Sequence, residues 1–121
     1  MDIDEFNNVF PKLARRLGPQ NGGLLVTAGI EREVSAGATL LEADIRATSF
    51  YLIIEGEFRV VVLHADGDLE VGRVAAGKSV GEATLFSEDH RSSSRMTAVT
   101  RARVLEIPYA RYWSYWKDNP D

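Results

Sequence analysis

The residues best suited to chemistry lie between positions 77 and 98, where a glycine, a carboxylate, an arginine and three serines occur close together. Gly81 and Glu82 begin the short apolar turn GEATLF, and Arg91 follows Glu82 by nine positions, just before the serines at 92 to 94. Backbone N–H groups, hydroxyls and a planar guanidinium together bind phosphate oxygens well. Glu82 adds an acceptor for sugar hydroxyls. The pattern therefore favours an anionic, hydroxyl-bearing small molecule, such as a nucleotide.

Each of these residues also has a plainer interpretation. Glu82 can cap the free N–H groups at the start of a helical turn. Arg91 can be a solvated surface arginine, and residues 92 to 94 can be an ordinary polar loop. The other arginines near this stretch are predicted to lie at the surface: Arg95, Arg101 and Arg103.

Composition excludes several classes of protein. A chain of 121 residues with 45% hydrophobic and 26% charged residues suits one globular domain. A net charge of −4 argues against nucleic acid as the main partner, because phosphate backbones need a basic surface. There is no cysteine and no apolar run long enough to cross a bilayer, and the acidic start MDIDEF is not a signal peptide. We therefore expect a cytoplasmic protein without a membrane span.

The sequence has no recognisable catalytic or metal-binding pattern. His64 and His90 are far apart and lack the spacing of a metal site. No Ser-His-Asp or paired-carboxylate arrangement stands out, so the sequence predicts neither an enzyme nor a cofactor.

The elements that must position the candidate site begin with helix. Residues 2 to 17 have apolar residues at helical spacing, with Asp2 or Asp4 as a cap and Pro11 as a point where the helix can split. The stretch GPQNGG at 18 to 23 predicts a break, and a short apolar segment, helical or extended, follows up to residue 28.

From residue 30 the pattern is that of short β-strands. Phe50 to Ile54 is continuously apolar, which predicts a strand buried on both faces. Asp66-Gly67 is a hairpin signal. Strands are predicted at 30–34, 38–42, 50–54, 58–63, 69–74, 96–99 and 104–107. Their shortness and the glycines between them favour an antiparallel barrel or roll.

The stretch around Gly81 resembles the phosphate-binding cassette of cyclic nucleotide-binding domains, the β-roll of catabolite activators and protein kinase regulatory subunits. That cassette reads FGELALL, a few loop residues, then PRAATV, and it is matched here by Gly81, Glu82, Leu85, Phe86 and an arginine. The segments SAGATLLEADIRATSFYLIIEGEFRVVV and IPYARYWSYWKDNPD resemble the family's roll and the helix after it. The resemblance implies a mainly β fold, an antiparallel β-roll with short flanking helices.

The resemblance also implies a division of this single domain. An N-terminal helical segment would cover residues 1–29, the roll residues 30–107 with its cassette at 77–98, and a C-terminal helix residues 108–121. In relatives an Asn-Pro pair, here Asn119-Pro120, precedes a long final helix. We expect that helix, and a DNA-binding helix-turn-helix, to be absent from this chain.

The ligand implied by the resemblance is cAMP or cGMP. Glu82 would bind the ribose hydroxyls and Arg91 the cyclic phosphate, with Ser92 and Ser93 completing the phosphate site. The full set of implied contacts is Gly81, Glu82, Ala83, Arg91, Ser92 and Ser93.

Two departures keep a second interpretation open. His90 replaces the family's common proline, and Ala98 follows Arg91 by seven residues instead of the usual six. A one-residue bulge at 92 to 94 would reconcile the spacing. The alternative is a degenerate roll that binds no nucleotide and serves as a protein interaction or dimerisation module.

Aromatic residues concentrate near the end of the chain. Five lie within eight positions: Tyr109, Tyr112, Trp113, Tyr115 and Trp116. Such a cluster usually packs on the roll, but it is dense enough to leave a contact surface. We therefore expect a homodimer or a partner protein to contact the region from Tyr109 to Trp116.

Overall fold

The computed structural model describes residues 1–81 and 94–111, in which two helices precede eight strands. The elements are α1 (Ile3–Val9), α2 (Pro11–Ala28), β1 (Ile30–Val34), β2 (Thr39–Leu41), β3 (Ser49–Glu55), β4 (Glu57–Val62), β5 (Leu69–Ala75), β6 (Ser79–Val80), β7 (Ser94–Ala98) and β8 (Ala102–Pro108). A further helical turn begins at residues 109–111.

The strands form two four-stranded antiparallel sheets. The first sheet has the order β1-β8-β3-β6 and the second the order β2-β7-β4-β5. Residues from both sheets meet in one buried cluster, so the two inner faces pack against each other as in a roll. The helices cover the outer face of the first sheet, where a second buried cluster lies. This architecture confirms the predicted mainly β fold, an antiparallel β-roll with short flanking helices.

Strand β3 is buried on both faces, as its continuous apolar sequence predicts. Tyr51 and Ile53 point into the roll, where they join the cluster between the sheets. Phe50, Leu52 and Ile54 point the other way and pack under the helices. Successive side chains of a strand alternate between faces, so one strand contributes to both cores.

The helical segment begins as predicted but continues further. The Asp2 carboxylate accepts a hydrogen bond from the backbone N–H of Glu5 at 2.8 Å, and Pro11 occupies the first turn of α2. The predicted break at 18 to 23 is confirmed at Gly18, which lies outside helical geometry, but it is shorter than predicted, because the helix resumes at once and runs to Ala28. The φ of 81° at Gly18 makes a kink, after which Pro19 is compatible with a renewed helical turn.

Two strand boundaries also differ from the prediction. Strand β7 begins at Ser94, two residues before Met96, because Ser94 pairs with Val62 in the ladder to β4. The short strand β6 was not predicted; it forms because Ser79 and Val80 pair with β3. Backbone pairing between distant segments, which side-chain pattern does not report, decides both boundaries.

Arg103, which is predicted to lie at the surface, is partly buried by its ion pairs. Its side chain is only 24% exposed and its guanidinium contacts three carboxylates: Glu5 at 3.2 Å, Glu31 at 3.1 Å and Glu55 at 2.5 Å. The hydrogen bonds with Glu5, Glu55 and Glu31, in that order, raise the pKa of Arg103. Because these carboxylates come from α1, β1 and β3, the arginine ties the N-terminal helix to the outer face of the first sheet.

The turn between β3 and β4 gives a test of this packing. Gly56 has a φ of 95°, and a Cβ there would lie 2.6 Å from the Ala102 Cβ and 2.8 Å from the Arg101 carbonyl oxygen. We expect Gly56→Ala to lower the free energy of unfolding by about 3 kcal/mol, through left-handed strain and overpacking. Denaturant titration measures this change.

Gly37→Ala is the matched control. Gly37 also has a positive φ, 86°, but a Cβ there would meet no described atom within 4 Å. Its cost should be the strain alone, about 1 kcal/mol. Equal losses for the two variants would contradict the close approach of the 55–57 turn to β8.

Candidate functional site

Gly81, the first of the predicted ligand contacts, is held where the chain leaves strand β6. Its φ is 89°, and a Cβ at this position would lie 3.4 Å from the Phe50 Cα. Its carbonyl oxygen accepts a hydrogen bond from the Tyr109 hydroxyl at 2.9 Å. Backbone conformation, close approach to β3 and a side-chain hydrogen bond therefore all define the start of the cassette.

Tyr109 links three parts of the chain. Its ring stacks on Phe50, with centroids 6.3 Å apart and planes inclined by 17°. Its backbone N–H donates to the Thr48 carbonyl oxygen at 2.9 Å. The helical turn that starts here is thus attached both to β3 and to the cassette. Nothing in the sequence indicated the pairing of Tyr109 with Gly81, because 28 positions separate them.

The other predicted ligand contacts lie outside the described residues: Glu82, Ala83, Arg91, Ser92 and Ser93. The same holds for Tyr112, Trp113, Tyr115 and Trp116. The roles assigned to these residues, and the expected contact surface, stay predictions. What the structure does describe is where the cassette starts, at Gly81, and where it rejoins the roll, at Ser94.

The two ends of the cassette belong to different sheets. Val80, just before Gly81, pairs with Tyr51 in the first sheet, whereas Ser94 pairs with Val62 in the second. Gly81 and Ser94 therefore lie at the same end of the roll, one at each sheet.

The inner face of the second sheet is apolar and partly open at this end. Directly paired residues share a face, which places Ser94, Val62 and Leu69 in one row and Met96, Val60 and Gly72 in the next. Leu69 is 61% exposed. A Cβ built on Gly72 would meet no atom within 4 Å in the part of the chain that the structure describes. Among the described residues, no side chain fills the position next to this glycine.

The inner face of the first sheet carries a polar cluster that the sequence analysis did not single out. Arg32 donates from Nη1 to Glu106 Oε1 at 2.6 Å, and the buried Ser49 hydroxyl donates to Glu106 Oε2 at 2.8 Å. The bond to Glu106 raises the pKa of Arg32, and burial raises the pKa of the neighbouring Tyr51. A carboxylate at an inward position of the apolar strand β8 was a signal that could have revealed it.

Arg95 is engaged by carboxylates outside the roll interior. Its Nε donates to Glu42 Oε1 at 2.7 Å, and its Nη1 lies 3.7 Å from Asp68 Oδ2. It alternates with Met96, which faces the inner cluster. The guanidinium therefore has partners already, as expected for a surface residue.

Residues 31–119 match the family model for the cyclic nucleotide-binding domain. The chain belongs to this family. Across residues 1–81 and 94–111, no helix has the length and apolarity that a bilayer span requires.

Known proteins with similar sequence include a regulator and an enzyme. The chain is 31% identical over 85 residues to the cAMP-activated global transcriptional regulator CRP of Pasteurella multocida, covering 69% of this chain and 41% of that protein. It is 24% identical over 123 aligned positions to the lysophospholipase nte1 of Neurospora crassa, covering 98% of this chain and 8% of the enzyme. The chain thus spans less than half of either relative.

Solved structures share the fold. The regulatory domain of Toxoplasma gondii PKA, in its co-crystal structure with cAMP, superposes with a TM-score of 0.84 at 17% identity. The match covers 93% of this chain and 43% of that one. At this identity the similarity establishes the roll and not its ligand.

The hydrogen bond between Tyr109 and Gly81 gives a second test. Tyr109→Phe removes the hydroxyl but keeps the ring on Phe50, so the free energy of unfolding should fall by about 1 kcal/mol, the net value of one hydrogen bond. Tyr109→Ala should cost more, because it also removes the stacked ring. Chemical denaturation of both variants is the measurement, and an unchanged stability for Tyr109→Phe would show that the bond does not hold the cassette.

Proposed function

We propose that this chain is a regulatory domain that binds cAMP or cGMP between its cassette and the inner faces of its roll. The observation that carries the proposal is the position of Gly81 and Ser94, which begin and end the cassette at one end of the roll, on the same side as Gly72, where a Cβ would meet no described atom within 4 Å. The family membership supports the same site.

The cassette would bind the polar half of the nucleotide. Glu82 would accept hydrogen bonds from the ribose hydroxyls, and Arg91 would bind two oxygens of the cyclic phosphate. Backbone groups of Gly81 and Ala83, with Ser92 and Ser93, would complete the shell. The pairing of Arg95 with Glu42 and Asp68 supports Arg91 as the phosphate ligand, because Arg95 would have to leave both carboxylates.

The inner face of the second sheet would receive the base. Val60 and Val62 offer apolar surface, Leu69 adds an exposed side chain, and Gly72 adds no side chain above the sheet. A purine is flat and apolar on its faces, so this surface suits it without a specific polar contact. In this proposal the domain senses a ligand and carries out no chemistry.

Calorimetry with cAMP and with cGMP tests the ligand. We expect Arg91→Ala to weaken binding by about 2–5 kcal/mol, since a desolvated phosphate charge loses its partner. Glu82→Ala should cost about 1–3 kcal/mol, the size of a charge-assisted hydrogen bond. Arg101→Ala is the control, because its pair with Glu33 is solvent-exposed and distant from the cassette.

Two results would contradict this proposal. Loss of binding in Arg95→Ala but not in Arg91→Ala would show that another arginine binds the phosphate. A folded protein that gives no heat with either nucleotide would favour the alternative, an interaction or dimerisation module.

Gly72 gives an independent test. A Cβ there would meet no described atom within 4 Å, so we expect Gly72→Leu to fold while nucleotide affinity falls by about tenfold or more. Arg59→Leu is the matched control, because it introduces the same side chain on the opposite face, next to Val60. Equal affinities for the two variants would place the base elsewhere.

A further inference from the structure

A second cleft lies away from the cassette, where the helical segment meets the turn between β5 and β6. Its volume is about 380 Å³. Phe10, Leu13 and Gly77 form its floor, and three cationic side chains surround it: Lys12, Arg16 and Lys78. Among residues 1–81 and 94–111, no carboxylate lines it. A cleft of this size is in the range that binds small molecules.

The three cations have no partner in the described structure. Within residues 1–81 and 94–111, Lys12, Arg16 and Lys78 make no hydrogen bond or ion pair through their side chains. Elsewhere five arginines pair with carboxylates: Arg32, Arg73, Arg95, Arg101 and Arg103. Arg15 and Arg46 are also unpaired among the described residues, but they lie outside this cleft. In a chain of net charge −4, three unpaired cations around one cleft are not explained by a shortage of carboxylates.

The backbone on both sides of the cleft is fixed. Gly77 donates its N–H to the Ile53 carbonyl oxygen, and Ile53 donates its N–H to the Lys78 carbonyl oxygen, both at 2.9 Å. On the other side Phe10 is buried at the junction of α1 and α2. A Cβ on Gly77 would lie 3.3 Å from the Val9 carbonyl oxygen, so the turn and the helix junction are in close contact. The three cationic side chains therefore extend from backbone segments that hydrogen bonds and packing hold in place.

We propose that this cleft binds a soluble small molecule bearing a phosphate or diphosphate group, in addition to the nucleotide site proposed above. Arg16 can bind two phosphate oxygens in a plane, and the two lysine ammonium groups can bind the remaining charge. The apolar floor from Phe10 and Leu13 suits the carbon skeleton of such a molecule. A ligand here would bridge α2 and the turn that leads into β6 and Gly81.

Calorimetry with inorganic pyrophosphate on the full chain tests the site. Lys12→Gln, Arg16→Gln and Lys78→Gln should each weaken pyrophosphate binding by about tenfold, the effect of one lost charge-assisted hydrogen bond. Arg15→Gln and Arg46→Gln remove equally unpaired cations outside the cleft and should change affinity by less than about twofold. Circular dichroism of each variant checks that it is folded.

Further measurements distinguish this site from the cassette and from a site for lipid headgroups. Arg91→Ala and saturating cAMP should leave pyrophosphate affinity unchanged, and competition by cAMP would overturn the proposal by placing the anion at the cassette. No saturable binding, or equal losses in the Arg15 and Arg46 controls, would also overturn it. A lipid headgroup is the other possible source of a phosphate group, and vesicles that contain a phosphorylated inositol lipid test it. If the protein sediments with these vesicles, loses this binding in the three variants and does not bind pyrophosphate, the proposal of a soluble ligand is refuted.

Discussion

Burial of strand β3 on both faces is the constraint on which the rest of the structure depends. Tyr51 and Ile53 fill the space between the sheets, while Phe50, Leu52 and Ile54 fill the space under the helices. A strand in this position fixes the pairing register of the strands next to it, because a shift by one residue would exchange its two sets of apolar side chains between the two faces. Strands β8 and β6 take their positions directly from it.

The candidate site follows from that strand. Val80 pairs with Tyr51, which fixes where Gly81 leaves the first sheet. Tyr109 stacks on Phe50 and donates to the Gly81 carbonyl oxygen, so the start of the cassette and the start of the C-terminal helical turn meet on the same residue of β3. The C-terminal helical turn is therefore linked to Gly81 by one hydrogen bond and to β3 by one stacked ring.

Ion pairs also connect separate elements of the fold. The acidic chain places its carboxylates beside arginines on both faces of the first sheet, with Arg103 joining the helix to the outside and Arg32 bonded to Glu106 on the inside. These contacts fix geometry more than they add net stability, because partly exposed ion pairs contribute little. The cations around the second cleft have no such partner among residues 1–81 and 94–111.

The sequence by itself determined the class of fold. The apolar run at 50–54 indicated a doubly buried strand, the Asp66-Gly67 turn a hairpin, and the cassette pattern the family, because these signals are local in sequence. It also located one residue of the candidate site, Gly81, in a conformation that favours glycine.

Only the tertiary structure decided what distant segments do to one another. Helix α2 resumes directly after the break at Gly18, and Gly22 lets it lie against Phe6, where a Cβ would be 3.3 Å from the ring. Arg103 is partly buried and contacts carboxylates from several elements because β8 lies between β1 and β3. The bond from Tyr109 to Gly81 and the cluster of Lys12, Arg16 and Lys78 likewise join residues far apart in the chain. Sequence pattern reports the face on which a side chain lies, whereas contacts of this kind depend on how separate elements pack.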